Sequence, residues 1–187
     1  DINVNTALNP IVGFASEYGG DEHNIDPGLE KIKELDVFSF YSSGTQITQM
    51  FKAGDIWVAI AHAGWGVRLD TAGVKVGMIH PLVKDKRGMA SRGYAGIVAG
   101  TKHAAAAEFY INELVSAGMQ EVLHTKNGIV PTNGIVQNKY KGDPKRDAAG
   151  DPFLLLAPEQ IANLYYMDWD GFKMTDWSKK WNRMVAQ

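Results

Sequence analysis

The side chains best suited to metal binding or proton transfer near neutral pH are the five histidines, His23, His62, His80, His103 and His124. No two of them stand at a ligand spacing, so the sequence does not gather the donors that a metal site needs. The chain has no cysteine, which excludes disulfides, thiolate ligands and thiol nucleophiles. Asp168 and Asp170 flank Trp169. Paired carboxylates can exchange protons, but this pair suits a capped turn between helices better. The phosphate-loop, dinucleotide, nucleophile-elbow and HExxH patterns are missing. With no nucleophile–base pair and no metal constellation, the residues argue against an enzyme.

Three stretches carry groups suited to binding instead. Ser42, Ser43, Gly44 and Thr45 stand between an apolar segment and a helix start. Such a turn presents free N–H groups and the positive helix end to an anion or hydroxyl, or else simply caps the helix. His62, Gly64 and Trp65 follow the uncharged run 56–61. Ligands of open α/β sheets lie beyond the carboxyl ends of strands, and a tryptophan at such a place can equally well pack under a loop. Arg92 stands after a glycine-containing loop, where most single arginines are simply solvated.

The elements that must position these groups read as helices alternating with short apolar strands, an α/β pattern with a largely parallel sheet. Helices are expected over 6–18, over 24–35 with Asp26 as N-cap, and over 42–54, entered through small polar residues and closed by Gly54. The clearest covers 103–117, with Ala107, Tyr110, Ile111 and Leu114 on one face and Gly118 ending it. A short helix follows the turn-rich 127–137. Two more cover 158–166 and 175 to the end, the last with Trp177, Trp181 and Met184 on one side. Strands are expected at 36–41, 56–61, 74–81 and 94–100. Residues 84–93 read as a loop and 141–152 as a linker.

The 187 residues suffice for one good-sized domain or two small lobes. Hydrophobic residues make up 45% and charged residues 21%, a composition that can bury a core. A net charge of −2 favours neither nucleic acid nor an anionic membrane, and no apolar run approaches a membrane span.

The order of the segments resembles the second half of an extracellular solute-binding protein of the spermidine/putrescine-binding type, family 1 of the ABC-transporter substrate-binding proteins. The resemblance rests on "AGDIWVAIAHAGWG", "AGVKVGMIHP", "YAGIVAGTKHAAAAEFYINELVSAGMQE", "NGIVPTN" and the closing "DWDGFKMTDWSKKWNRMV", which stand in that order and cover nearly the whole chain. No single one is diagnostic.

The resemblance implies a periplasmic-binding-protein type II fold, with a mostly parallel sheet flanked by helices and a solute closed between two lobes. Residues 1–92 would form lobe 2 without its first strand, and 93–187 the crossover and helical return into lobe 1. The chain would then be a C-terminal fragment lacking most of lobe 1. Its exposed apolar surface would favour a homodimer or a swapped dimer. The implied setting is the periplasm. The implied partners are a small-molecule solute and the membrane subunits of an ABC permease, with no nucleic acid, no cofactor and no catalysis. If both lobes form the cleft, the chain alone should bind its solute more weakly than micromolar.

The ligand set departs from the polyamine pattern. Where the family has an acid before the first helix of lobe 2, this chain has Asn5, Thr6 and Asn9. Where an acid follows the glycine loop, it has Ser91, Arg92 and Gly93. His62 stands at the place of a cleft tryptophan. Lost acids and gained cationic groups argue for a carboxylate-bearing or zwitterionic solute, because a buried ammonium needs a paired charge. The expected ligand-binding set is Asn5, Thr6, Ser42, Ser43, Thr45, His62, Gly64, Trp65 and Arg92. The alternatives are a polyamine binder with an atypical site, or a ferric or other metal-ion receptor. The latter would draw on Tyr165 and Tyr166, the adjacent tyrosines.

Overall fold

The computed structural model describes residues 5–142, 145–146 and 149–185, with side chains from Leu8 onward. The chain forms two compact units. The first comprises Asp1–Ala61, Ile79–Ser91 and Asn163–Gln187, and the second His62–Met78 and Arg92–Ala162.

The first unit is built on α1 (Asn5–Glu17), α2 (Asp26–Glu34), α3 (Gly44–Ala53) and α9 (Met174–Met184). Apolar residues at helical spacing place Leu8, Ile11 and Val12 of α1 against Leu29 and Ile32 of α2 and Trp177 and Trp181 of α9. Burying side chains of this size stabilises the unit by roughly 1.5–3 kcal/mol each. Asp26 is not the cap of α2 but its first residue; Ile25 takes the cap position without a side-chain bond. The Asp26 carboxylate instead pairs with Lys180 at 2.7 Å and ties α2 to α9. Gly54 closes α3 with φ 79°, a left-handed conformation that glycine adopts at no steric cost.

The sheets are small. β1 (Leu82–Val83) pairs antiparallel with β2 (Lys86–Arg87), and β3 (Met89–Ala90) pairs parallel with β4 (Tyr165–Tyr166). These pairs and the helices keep the chain in the α/β class. The larger parallel sheet expected from 36–41, 56–61, 74–81 and 94–100 is not formed. None of these segments carries a strand among the described residues. An apolar run sets a demand for burial but does not supply the neighbouring strand that a ladder requires. Trp57 is accordingly 89% exposed, Ile79 86% and Val98 78%.

The second unit holds α4 (Ala63–Thr71), α5 (Ala104–Leu114), α6 (Ala117–Asn127), α7 (Gly134–Tyr140) and α8 (Pro158–Ala162). Its core joins Val67 of α4 to Phe153, Leu154 and Leu156, with Val76, Met78, Val130 and Tyr140 packed around them. The helix expected over 103–117 is two helices. The chain leaves α5 at Val115, and Ser116 caps α6 by accepting from Met119 N–H. Gly118 therefore lies near the start of α6 and ends nothing. The apolar face of α5 has no buried residue, and Phe109 and Tyr110 are two-thirds exposed. The helix expected over 158–166 stops at Ala162, because Tyr165 and Tyr166 are drawn into β4. Among the described residues no helix is long and apolar enough to cross a membrane.

Candidate functional site

The segment His62–Gly66 is not a loop beyond a strand but the start of α4. Its tight glycines answer to packing. A Cβ on Gly64 would stand 2.6 Å from the Gly128 carbonyl and 2.9 Å from that of Asn127, so the first turn of α4 touches the end of α6 backbone to backbone. Gly128 accepts this contact with φ 66°, as the left-handed cap of α6.

His62 is the N-cap of α4. Its Nδ1 accepts from Gly64 N–H at 3.1 Å, which places the ring proton of the neutral form on Nε2. His62 keeps an exposed edge, but the atoms packed around its ring partly desolvate it and lower its proton affinity, and the nearby Arg68 charge lowers it further. His62 thus stands neutral at pH 7, with an Nε2–H donor beside a helix N-terminus. Trp65 lies one turn from Arg68, and the guanidinium carbon is 4.2 Å from the Trp65 ring centroid. This is a stacked cation on an aromatic face. Arg68 makes no ion pair among the described residues. It was missed in the sequence because an arginine after an unrecognised helix start has no special spacing. Once α4 is a helix, Trp65 and Arg68 are i, i+3 neighbours.

In the first unit, Ser43 caps α3 by accepting from Gln46 N–H at 3.3 Å, and Gln46 Oε1 accepts from Ser42 N–H at 3.0 Å. This is a local capping exchange. Thr45 is exposed in the first turn. Asn5 and Thr6 open α1, and their side chains lie outside the described residues. The Asn9 amide and the Ser91 hydroxyl do meet, with Nδ2–Oγ at 3.2 Å and Oδ1–Oγ at 3.3 Å. Arg92 begins the second unit and is exposed.

The other candidates are structural. Asp168 accepts from Asp170 N–H and caps the 3₁₀ turn Trp169–Gly171. Tyr165 donates its hydroxyl to the buried Glu22 carboxylate, which also accepts from Asp168 N–H at 3.0 Å. Burial, and then the Glu22 carboxylate, push the Tyr165 phenol well above its usual range. No group of three or more His, Asp or Glu residues is arranged to hold a metal ion among the described residues.

A family model for bacterial extracellular solute-binding proteins matches residues 26–149, well over half of the chain. The chain belongs to this family. It is therefore a solute-binding receptor of ABC transport rather than an enzyme, and its place of action is outside the cytoplasm. No curated protein and no solved structure matches it. In this solute-binding protein the matched span runs from α2 into the 141–152 linker, and so includes His62, Trp65, Arg68 and Arg92.

Proposed function

We propose that the receptor takes a small carboxylate-bearing or zwitterionic solute and that the start of α4 holds its carboxylate. The carrying observation is the cluster of Arg68, stacked on Trp65 without an ion pair among the described residues, and His62, whose Nε2–H points to hydrogen-bond donation. A guanidinium gives a carboxylate two parallel donors, and a neutral imidazole adds a third without requiring acid pH. The stacked indole leaves an apolar edge for the solute's carbon skeleton.

In this reading Arg92, in the same unit as α4, is a second guanidinium available to the carboxylate, while Gly64 serves the site by packing. The order of segments favours the spermidine/putrescine-binding branch, with acids replaced and the ligand charge preference reversed. The closed form is what the permease reads in the periplasm. The unpaired apolar segments 56–61 and 94–100 support association with a second copy of the chain. The polyamine alternative lacks a carboxylate in the α4 cluster to pair with an ammonium. Titration of glutamate into the protein and into Arg68→Gln tests the reading. The account expects affinity to fall about tenfold or more on losing the fork. Equal affinity in the variant would overturn it.

A further inference from the structure

The second unit contains a cavity of about 440 Å³ that none of the residues named for the solute lines. Its size lies within the range of small-molecule sites, roughly 300–1,000 Å³. The floor is apolar, from Val67, Leu154 and Leu156. The His124 and Tyr140 rings form a wall, with centroids 4.7 Å apart. The polar ends of that wall are already engaged. His124 Nδ1 lies 3.0 Å from the Ile129 carbonyl, which can only accept, and the Tyr140 hydroxyl donates to Glu121 at 2.6 Å. The charged lining is entirely positive, from Lys145 and Arg146.

Among the described residues the nearby acids cancel only part of that charge. Glu121 is paired with Lys139 at 2.6 Å. Asp70 is shared by Lys145 at 3.2 Å and Lys75 at 3.4 Å. Lys145 also donates to Thr71 Oγ1 at 3.1 Å, which fixes its ammonium at the cavity edge. Arg146 donates to the Gly150 carbonyl at 2.6 Å, using one of its five N–H donors. An apolar floor, an aromatic wall and two cations at the rim suit one class of ligand.

We propose that this cavity is a second binding site, for a small organic carboxylate with an apolar body. The body would lie on Val67, Leu154 and Leu156, with the carboxylate between Lys145 and Arg146. The proposal does not depend on the α4 cluster, and the two are separated by the residues that respond.

The test is a titration of hexanoate into the ¹⁵N-labelled chain, followed by amide shifts, with hexylamine as the opposite-charge control. Hexanoate is expected to give saturable shifts at Thr125, Tyr140, Lys145 and Leu154 by about 10 mM, a few-kcal/mol affinity range. Hexylamine should give none. Arg146→Gln should weaken hexanoate about tenfold. Absent shifts at these residues, equal response to hexylamine, or unchanged affinity in a folded Arg146→Gln would each overturn the proposal. Should Arg146→Gln fail to fold, the hexanoate and hexylamine comparison on the unaltered chain decides.

Discussion

Gly64→Ala and Gly118→Ala are the same chemical change at the same helical position, with opposite predicted outcomes. Gly64 is the second residue of α4, after the His62 cap, and Gly118 the second of α6, after the Ser116 cap. The propensity gain from glycine to alanine is at most about 1 kcal/mol and is common to both. The surroundings differ. A Cβ on Gly118 meets nothing within 4 Å, whereas on Gly64 it stands 2.6 Å from a backbone carbonyl oxygen. Ordinary contact begins at 3.4 Å, so α4 and α6 must part by about 0.8 Å, an overpacking strain of roughly 1–3 kcal/mol. Gly118→Ala should therefore be neutral or stabilising by up to about 1 kcal/mol. Gly64→Ala should be less stable than Gly118→Ala by about 1–3 kcal/mol. In thermal unfolding followed by circular dichroism, each kcal/mol shifts the midpoint by about 4–8 °C for a unit of this size. A Gly64→Ala midpoint equal to or above that of Gly118→Ala would refute the backbone contact that sets the start of α4.

Three further outcomes follow from the same geometry. His62 has a lowered proton affinity in the fold, so its contribution to stability is full above pH 6.5 and is lost as pH falls from there toward the folded value. His62→Asn keeps a cap and should flatten this part of the stability–pH curve in denaturant unfolding; an unchanged slope counts against the assignment. Tyr165→Phe removes a donor to the buried Glu22 and should cost about 1–3 kcal/mol in urea unfolding; a neutral result would contradict the Glu22 contact. Sedimentation across a concentration series should show self-association, weakened by Trp57→Lys; a strict monomer would overturn the proposed second copy.

The helices of the first unit were legible because the sequence carries both their faces and their ends. Pro27, the Ser43 cap and Gly54 punctuate α2 and α3, and Trp177 and Trp181 stand four apart and are buried together. α4 was not legible. The sequence Ala-Gly-Trp-Gly has low helix propensity and looks like a turn. The helix exists because those glycines let it approach the end of α6, a tertiary contact that no local pattern reports. For the same reason Arg68 stayed hidden, whereas His62 and Trp65 stood out by residue type. The four expected strands failed differently. Their apolar character was read correctly, but strand pairing depends on a neighbour, and only 82–90 and 165–166 find one among the described residues. The meeting of Asn9 with Ser91, which stand 82 residues apart, is a tertiary contact that no local pattern reports.

The most direct test of the receptor reading is a ¹H–¹⁵N titration that follows the Trp65 indole N–H, assigned by Trp65→Phe, against glutamate, succinate and putrescine. The account predicts that glutamate or succinate moves the Trp65 indole and the His62 and Arg68 amides with an affinity weaker than micromolar, and that putrescine leaves them in place. A putrescine response at these residues, with none from either carboxylate, would contradict it.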